Sequence, residues 1–144
     1  MDNSISTLLE MGVIPIINEN DPISINELGP SFGDNDNLSA MVACKVKADT
    51  LVILTSVDGL YNYDPESENA KIIKEVHNFS SAITRLDGKS KSLGLGGIKT
   101  KISAAKLASS NGITTIIANG RKKGVLADII SGKNPGTIFY PQKL

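Results

Sequence analysis

Two acidic and amide clusters, Asn18-Glu19-Asn20-Asp21 and Gly33-Asp34-Asn35-Asp36, bracket one polar stretch of the chain. Asp and Asn favour turns and helix starts, so either cluster alone reads as turn and cap chemistry. Two of them around one loop offer more. Carboxylates and amides together can hold the ammonium and carboxylate groups of a zwitterionic substrate, and a carboxylate at a helix start can orient a lysine or a metal. The Asp-Asn-Asp spacing lacks the glycine and distal glutamate of an EF-hand. A second segment is Gly94-Leu95-Gly96-Gly97-Ile98-Lys99-Thr100-Lys101. Its glycines let backbone N–H groups approach phosphate oxygens, and the helix start behind them adds partial positive charge. The segment does not match a Walker A loop, and its bland alternative is a flexible linker followed by a solvated lysine. A third, Leu54-Thr55-Ser56-Val57-Asp58-Gly59-Leu60-Tyr61 with Asp64-Pro65, reads on position alone as turn chemistry after a strand.

Other reactive residues carry less. Cys44 falls near the apolar face of a helix and reads as a small core residue. His77 has no Cys or second His nearby and reads as a surface residue. The run Arg121-Lys122-Lys123, with Lys89, Lys91 and Lys99, reads as solvated lysines or contacts to nucleotide phosphates rather than an RNA surface.

The elements that position these residues alternate. Residues 2–10 place Ile5, Leu8 and Leu9 on one helical face, with Gly12 as the stop. Val13–Ile17 is a short apolar run with β-branched residues, which predicts a buried strand starting at or edged by Pro15. Residues 18–36 form a long loop, with a small strand at Ile23–Ile25. A helix over 36–46 presents Leu38, Met41, Val42 and Val46 inward, capped by Asp34 or Asn35. Thr50–Leu54 and Ile113–Ala118 are continuous apolar strands of the kind a parallel sheet buries. Between them lie a short strand at Lys71–Val76, a weak helix at 79–86, a glycine loop at 87–97, and a helix from Ile98 to Ser110. That last helix turns Ile98, Ile102, Ala105 and Ala108 inward and stops at Asn111-Gly112. A helix over Gly124–Ile130 and a strand over Thr137–Tyr140 close the chain. This order predicts an α/β fold with a mostly parallel sheet, in one unit. In such sheets ligands sit beyond the carboxyl ends of strands, where the loops Asn18–Asp36, Thr55–Asp64 and Asn119–Lys123 fall.

Composition narrows the class. In 144 residues, 40% hydrophobic content supplies a core and argues against disorder. Lys+Arg and Asp+Glu are 15 each, so phosphate-backbone binding to nucleic acid is not the main business. One cysteine rules out an internal disulfide. No apolar run approaches membrane-spanning length, and the first residues show no leader, so a cytoplasmic protein is expected.

Taken together, Gly12–Asp21, Gly33–Asp36, Leu54–Tyr61, Gly94–Lys101 and Ile116–Gly120 resemble the glutamate 5-kinase branch of the amino acid kinase family over almost the whole chain. The resemblance implies a three-layer α/β/α fold. It implies transfer of the γ-phosphoryl group of ATP, with Mg²⁺, to the side-chain carboxylate of L-glutamate, as the first step of proline biosynthesis. Carried over by motif, Asp21 and Asn35 bind glutamate and Asp36 organises the catalytic lysines. Thr55 and Ser56 lie at the nucleotide, and Leu95, Gly96, Gly97, Ile98, Lys99, Thr100 and Lys101 surround its phosphates. Lys101 neutralises charge on the transferred group. Leu95 stands where the family usually has Thr, and Ser56 where it commonly has Asp. The resemblance begins in the middle of the family's kinase domain, so the chain is expected to lack an N-terminal segment and to be inactive alone. It is expected to self-associate or to pair with that segment, exposing Val13–Ile17 and Leu51–Leu54. The alternatives are a sibling such as acetylglutamate kinase or uridylate kinase, and a non-catalytic nucleotide-binding or assembly fragment.

Overall fold

Runs of β-branched and aliphatic residues build the centre of a sheet, and alanine-rich helices cover it. The computed structural model describes residues 2–18, 35–62, 67–79 and 95–142. Its elements, in chain order, are α1 (Asp2–Glu10), α2 (Asn35–Lys45), β1 (Thr50–Thr55), β2 (Glu75–Val76), α3 (Leu95–Ser110), β3 (Thr114–Asn119), α4 (Val125–Ile130) and β4 (Thr137–Phe139). The strands form one sheet in the order β1-β3-β4-β2. β1 pairs with β3 in parallel from Thr50↔Thr114 to Thr55↔Asn119. β2 pairs with β4 in parallel, and only β3 with β4 is antiparallel. The expected mostly parallel α/β sheet is therefore present.

Alternation along the strands divides the core into two faces. Leu51, Ile53, Ile117 and Phe139 join one cluster with Ala40 and Ala43 of α2 and Ile102, Ala104, Ala105 and Ala108 of α3. Ile116 and Ala118 join the other with Val125, packed against Ile129 and Ile138. Helices thus cover both faces, giving the expected three layers. Burying a side chain such as Phe139, fully enclosed and stacked on Phe79 at 5.6 Å, contributes about 1.5–3 kcal/mol. Buried Ser109 ties the end of the chain to α3: its hydroxyl donates to the Tyr140 carbonyl at 2.8 Å and accepts from the Gln142 N–H at 2.9 Å.

Several expectations are corrected. Val13–Ile17 forms no strand among the described residues, and Ile14 and Ile16 are 87% and 97% exposed. An apolar run becomes a strand only where a neighbour pairs with its backbone, and none of the described strands does so here. Leu51 and Ile53, expected to be uncovered, are buried beneath the helices, while Leu54 is exposed. The fully buried residues of α2 are Ala40 and Ala43, where small side chains allow close packing against the alanines of α3; of the expected inward residues Leu38, Val42 and, just past the helix, Val46 are half-buried and Met41 is exposed. The strand expected over Lys71–Val76 shortens to β2, with an isolated bridge from Ile72 to Tyr61. The helix expected from Ile98 begins at Leu95, so Gly96 and Gly97 belong to its first turn. Gly12 and Gly112 do stop their helices, at φ 74° and 80°, a conformation that costs other residues energy. His77 is exposed and stacks on Tyr140, and Cys44 packs partly buried against the core. The small strand at Ile23–Ile25 and residues 80–86 of the weak helix lie outside the described residues.

Candidate active site

Two helix starts meet at one ion pair. Asp36 sits in the first turn of α2, where a carboxylate is favoured by the helix dipole. Lys101 sits in the second turn of α3, one turn deeper than an Ile98 start would place it. Its Nζ lies 2.8 Å from Asp36 Oδ2, and the two side chains keep only 19% and 14% of their exposure. Thr100 Oγ1 stands 3.0 Å from the same carboxylate oxygen and 3.0 Å from the Gly97 carbonyl. One hydroxyl proton serves one acceptor at a time, so Thr100 links Asp36 to the first turn of α3 by a shared, not doubled, bond. Asp36 is further fastened at its backbone, where its carbonyl accepts from Ser39 Oγ at 2.6 Å. The packing of α2 on α3 through alanines brings these groups together, although 65 positions separate Lys101 from Asp36.

The remaining residues singled out by the sequence divide by position. Asn35 is exposed beside Asp36. The backbone of Leu95, Gly96, Gly97 and Ile98 forms the first turn of α3, whose N–H groups have no partner within the helix. A Cβ at Gly97 would meet nothing within 4 Å. Lys99 is exposed, and Ile98 turns toward the core. Thr55 ends β1, half-buried, and its carbonyl accepts from the Gly120 N–H at 2.9 Å. Ser56 follows, exposed. Asp21 lies outside the described residues.

The structure adds a second polar cluster, within two loops that the sequence placed beyond strand ends but read residue by residue as turn chemistry and as lysines either solvated or in contact with nucleotide phosphates. Asp58, in the loop after β1, accepts from Asn119 Nδ2 at 2.8 Å and from Lys122 Nζ at 2.8 Å. Asn119 Oδ1 in turn accepts from the Arg121 N–H at 3.0 Å. The Lys122 ammonium, then the Asn119 amide, hold the Asp58 carboxyl below the usual carboxylate range against a small opposing effect of burial. Recognising that β1 and β3 are parallel neighbours would have paired the two loops beyond their carboxyl ends. No local spacing reveals it.

A partly buried cation, held by a carboxylate, and first-turn N–H groups without an intrahelical partner form a donor set for anionic groups such as phosphates. Among the described residues no group of three or more His, Cys, Asp or Glu could hold a metal ion. No helix among them is long and apolar enough to cross a membrane.

Fold and site together define a member of the amino acid kinase family: that family matches residues 1–119, and the chain belongs to it. The chain is 50% identical over 145 residues to glutamate 5-kinase of Clostridium perfringens, covering 98% of this chain and 54% of the relative. It is 48% identical over 143 residues to glutamate 5-kinase of Methanosarcina barkeri, covering 98% of this chain and 37% of the relative. The chain thus spans about half or less of the length of these curated relatives. Among solved structures, UMP kinase from Bacillus anthracis superposes with a TM-score of 0.72 at 18% identity, over 99% of this chain and 52% of that one. Carbamate kinase from Giardia lamblia bound to AMP-PNP superposes with a TM-score of 0.67 at 23% identity, over 98% and 49%. At these identities the two structures speak to the fold alone.

Proposed function

We propose that the chain supplies the phosphate-handling part of a glutamate 5-kinase, which transfers the γ-phosphoryl group of ATP to the γ-carboxylate of L-glutamate as the first step of proline biosynthesis, in the cytoplasm. The observation that carries this reading is the match of 98% of this chain to part of two relatives of that name, at 50% and 48% identity. The Asp36–Lys101 pair supports it. ATP would supply the phosphoryl group, with Lys101 and the first turn of α3 holding its phosphates, and Mg²⁺ entering with it would offset part of their charge. The γ-carboxylate is already a nucleophile, so the chain's residues position and neutralise rather than abstract a proton. Lys101 offsets the charge on the transferred group, and Asp36 with Thr100 fixes its direction. The first-turn N–H groups of α3, from Leu95 to Ile98, with Lys99 beside them, cradle phosphate oxygens, and Thr55 and Ser56 border the nucleotide. Asn35, with Asp21, receives the amino-acid end of glutamate.

We infer a division of labour: the residues of this chain bind nucleotide, and turnover draws on further groups of the kinase domain. Calorimetry with Mg·ATP should show binding that Lys101→Ala weakens. Hydroxamate trapping of γ-glutamyl phosphate should give no signal from the chain alone. It should give signal once the amino-terminal kinase segment of the Clostridium perfringens relative is supplied. A folded chain with no ATP affinity refutes the reading, and preference of the reconstituted protein for N-acetylglutamate assigns it to a sibling kinase.

A further inference from the structure

We infer that Asp58, Asn119 and Lys122 form a latch that couples the loop after β1 to the loop after β3 and so sets nucleotide affinity, making them positioning residues of the candidate site. The inference rests on the nucleotide reading above and extends it to residues that reading leaves out.

β1 and β3 are parallel and adjacent, and their last residues, Thr55 and Asn119, are in register. Their two following loops therefore leave the sheet side by side, in the place where α/β sheets bind ligands. A backbone bond from the Gly120 N–H to the Thr55 carbonyl, 2.9 Å, continues the pairing by one step and then stops. Beyond it the chains are held by side chains. Asp58 uses one oxygen for Asn119 and the other for Lys122. Asn119 passes the constraint on through its Oδ1 to the Arg121 N–H. One carboxylate thus fixes the end of β3 and the turn beyond it together.

The loop after β1 is also fastened behind Asp58. The Leu60 N–H donates to Thr137 Oγ1 at 2.8 Å, and that hydroxyl donates to the Ile73 carbonyl at 2.7 Å. Leu60 and Thr137 are buried. The segment Ser56–Gly59 is therefore pinned to the core at its far end and to the neighbouring loop at its middle. The rear anchor is internal, whereas Asp58 and Lys122 keep 31% and 48% of their exposure. A partly solvated pair adds little to global stability but decides where its two loops rest. Preorganised loops bind more tightly because less motion is lost on binding.

The test uses the full chain and reads two quantities, calorimetric affinity for Mg·ATP and amide hydrogen exchange in residues 56–60 and 120–122. Asp58→Ala removes both arms and should weaken ATP binding about tenfold, the order expected when one or two freed side chains must be ordered on binding. Asp58→Asn keeps an acceptor for Asn119 and loses the charge facing Lys122, and with Lys122→Met it should weaken binding by about threefold. Lys122→Arg keeps the pair and should bind close to wild type. Exchange should quicken in both loops of Asp58→Ala, because the latch joins them. Should Asp58→Ala fail to fold, Asp58→Asn and Lys122→Met carry the same test. Wild-type binding unmoved by these variants, or quickened exchange confined to residues 56–60, overturns the latch alone. Absence of ATP binding by the wild-type chain overturns the nucleotide reading and the latch with it.

Discussion

Removing the Asp36 carboxylate should cost more than removing its partner. Lys101 and Asp36 approach to 2.8 Å with side chains about four-fifths or more buried. Breaking a fully buried ion pair from one side costs about 3–5 kcal/mol, because the remaining charge is stranded. The residual exposure here lets water reach Lys101, so Asp36→Ala should cost about 2–3 kcal/mol, below the fully buried range. For a chain of this size that lowers the melting temperature by about 5–10 °C. Lys101→Met strands less, since Thr100 Oγ1 still stands 3.0 Å from Asp36 and can donate to it. The double variant, with neither charge, should be more stable than Asp36→Ala alone. Thermal melts and urea titrations of the four proteins, with Mg·ATP affinity measured alongside, give the cycle. The reasoning is refuted if Asp36→Ala melts within about 2 °C of wild type. It is also refuted if the double variant loses the sum of the single losses, since contacting partners should be coupled.

Three further outcomes are expected. A Cβ on Gly136 would collide with the backbone carbonyl of Ile117, so Gly136→Ala should destabilise by at least about 2 kcal/mol in urea titration, or leave the protein unfolded. Because Lys122, Asn119 and, more distantly, Lys74 favour ionised Asp58, the folded state binds fewer protons than the unfolded one. This contribution is complete above the ordinary Asp pKa of about 4 and fades as pH falls through the lower folded value, so wild type should lose more stability than Asp58→Asn between about pH 5 and pH 3. Finally, the exposed run containing Ile14 and Ile16 should drive concentration-dependent association in sedimentation, which Ile14→Lys with Ile16→Lys suppresses.

How much the sequence disclosed depends on whether the information was local. β1 and β3 were legible because each carries an unbroken apolar run, buried over Thr115–Ala118 in β3 and at Leu51 and Ile53 in β1. Val13–Ile17 has the same run, yet composition cannot state which backbone will pair with it, and it stands exposed. The inward side of α2 was misread because hydrophobic size pointed to Leu38 and Met41, while close helix packing selected Ala40 and Ala43. In the site, Asp36 and Lys101 were legible as motif residues, and their contact needed the helices to be docked. Asp58 looked like a turn residue because its partner Asn119 lies 61 positions away. Thr137, whose hydroxyl joins Leu60 to Ile73, carried no sequence signal at all.

The place of β4 in the sheet bears on how the chain is made. Its strand, Thr137–Phe139, lies between β3 and β2, and β2 pairs with it alone among the described strands. During synthesis, Glu75 and Val76 emerge long before Ile138 and Phe139 do. At typical ribosomal rates of about 5–20 residues per second, that interval lasts on the order of several seconds. Throughout it Phe79 has no Phe139 to stack on, and once β3 has emerged its second edge stays bare until β4 follows. A nascent chain of this sequence therefore carries an open sheet edge and an unburied aromatic side chain while still attached, and it is in that window that a holding chaperone has most to bind.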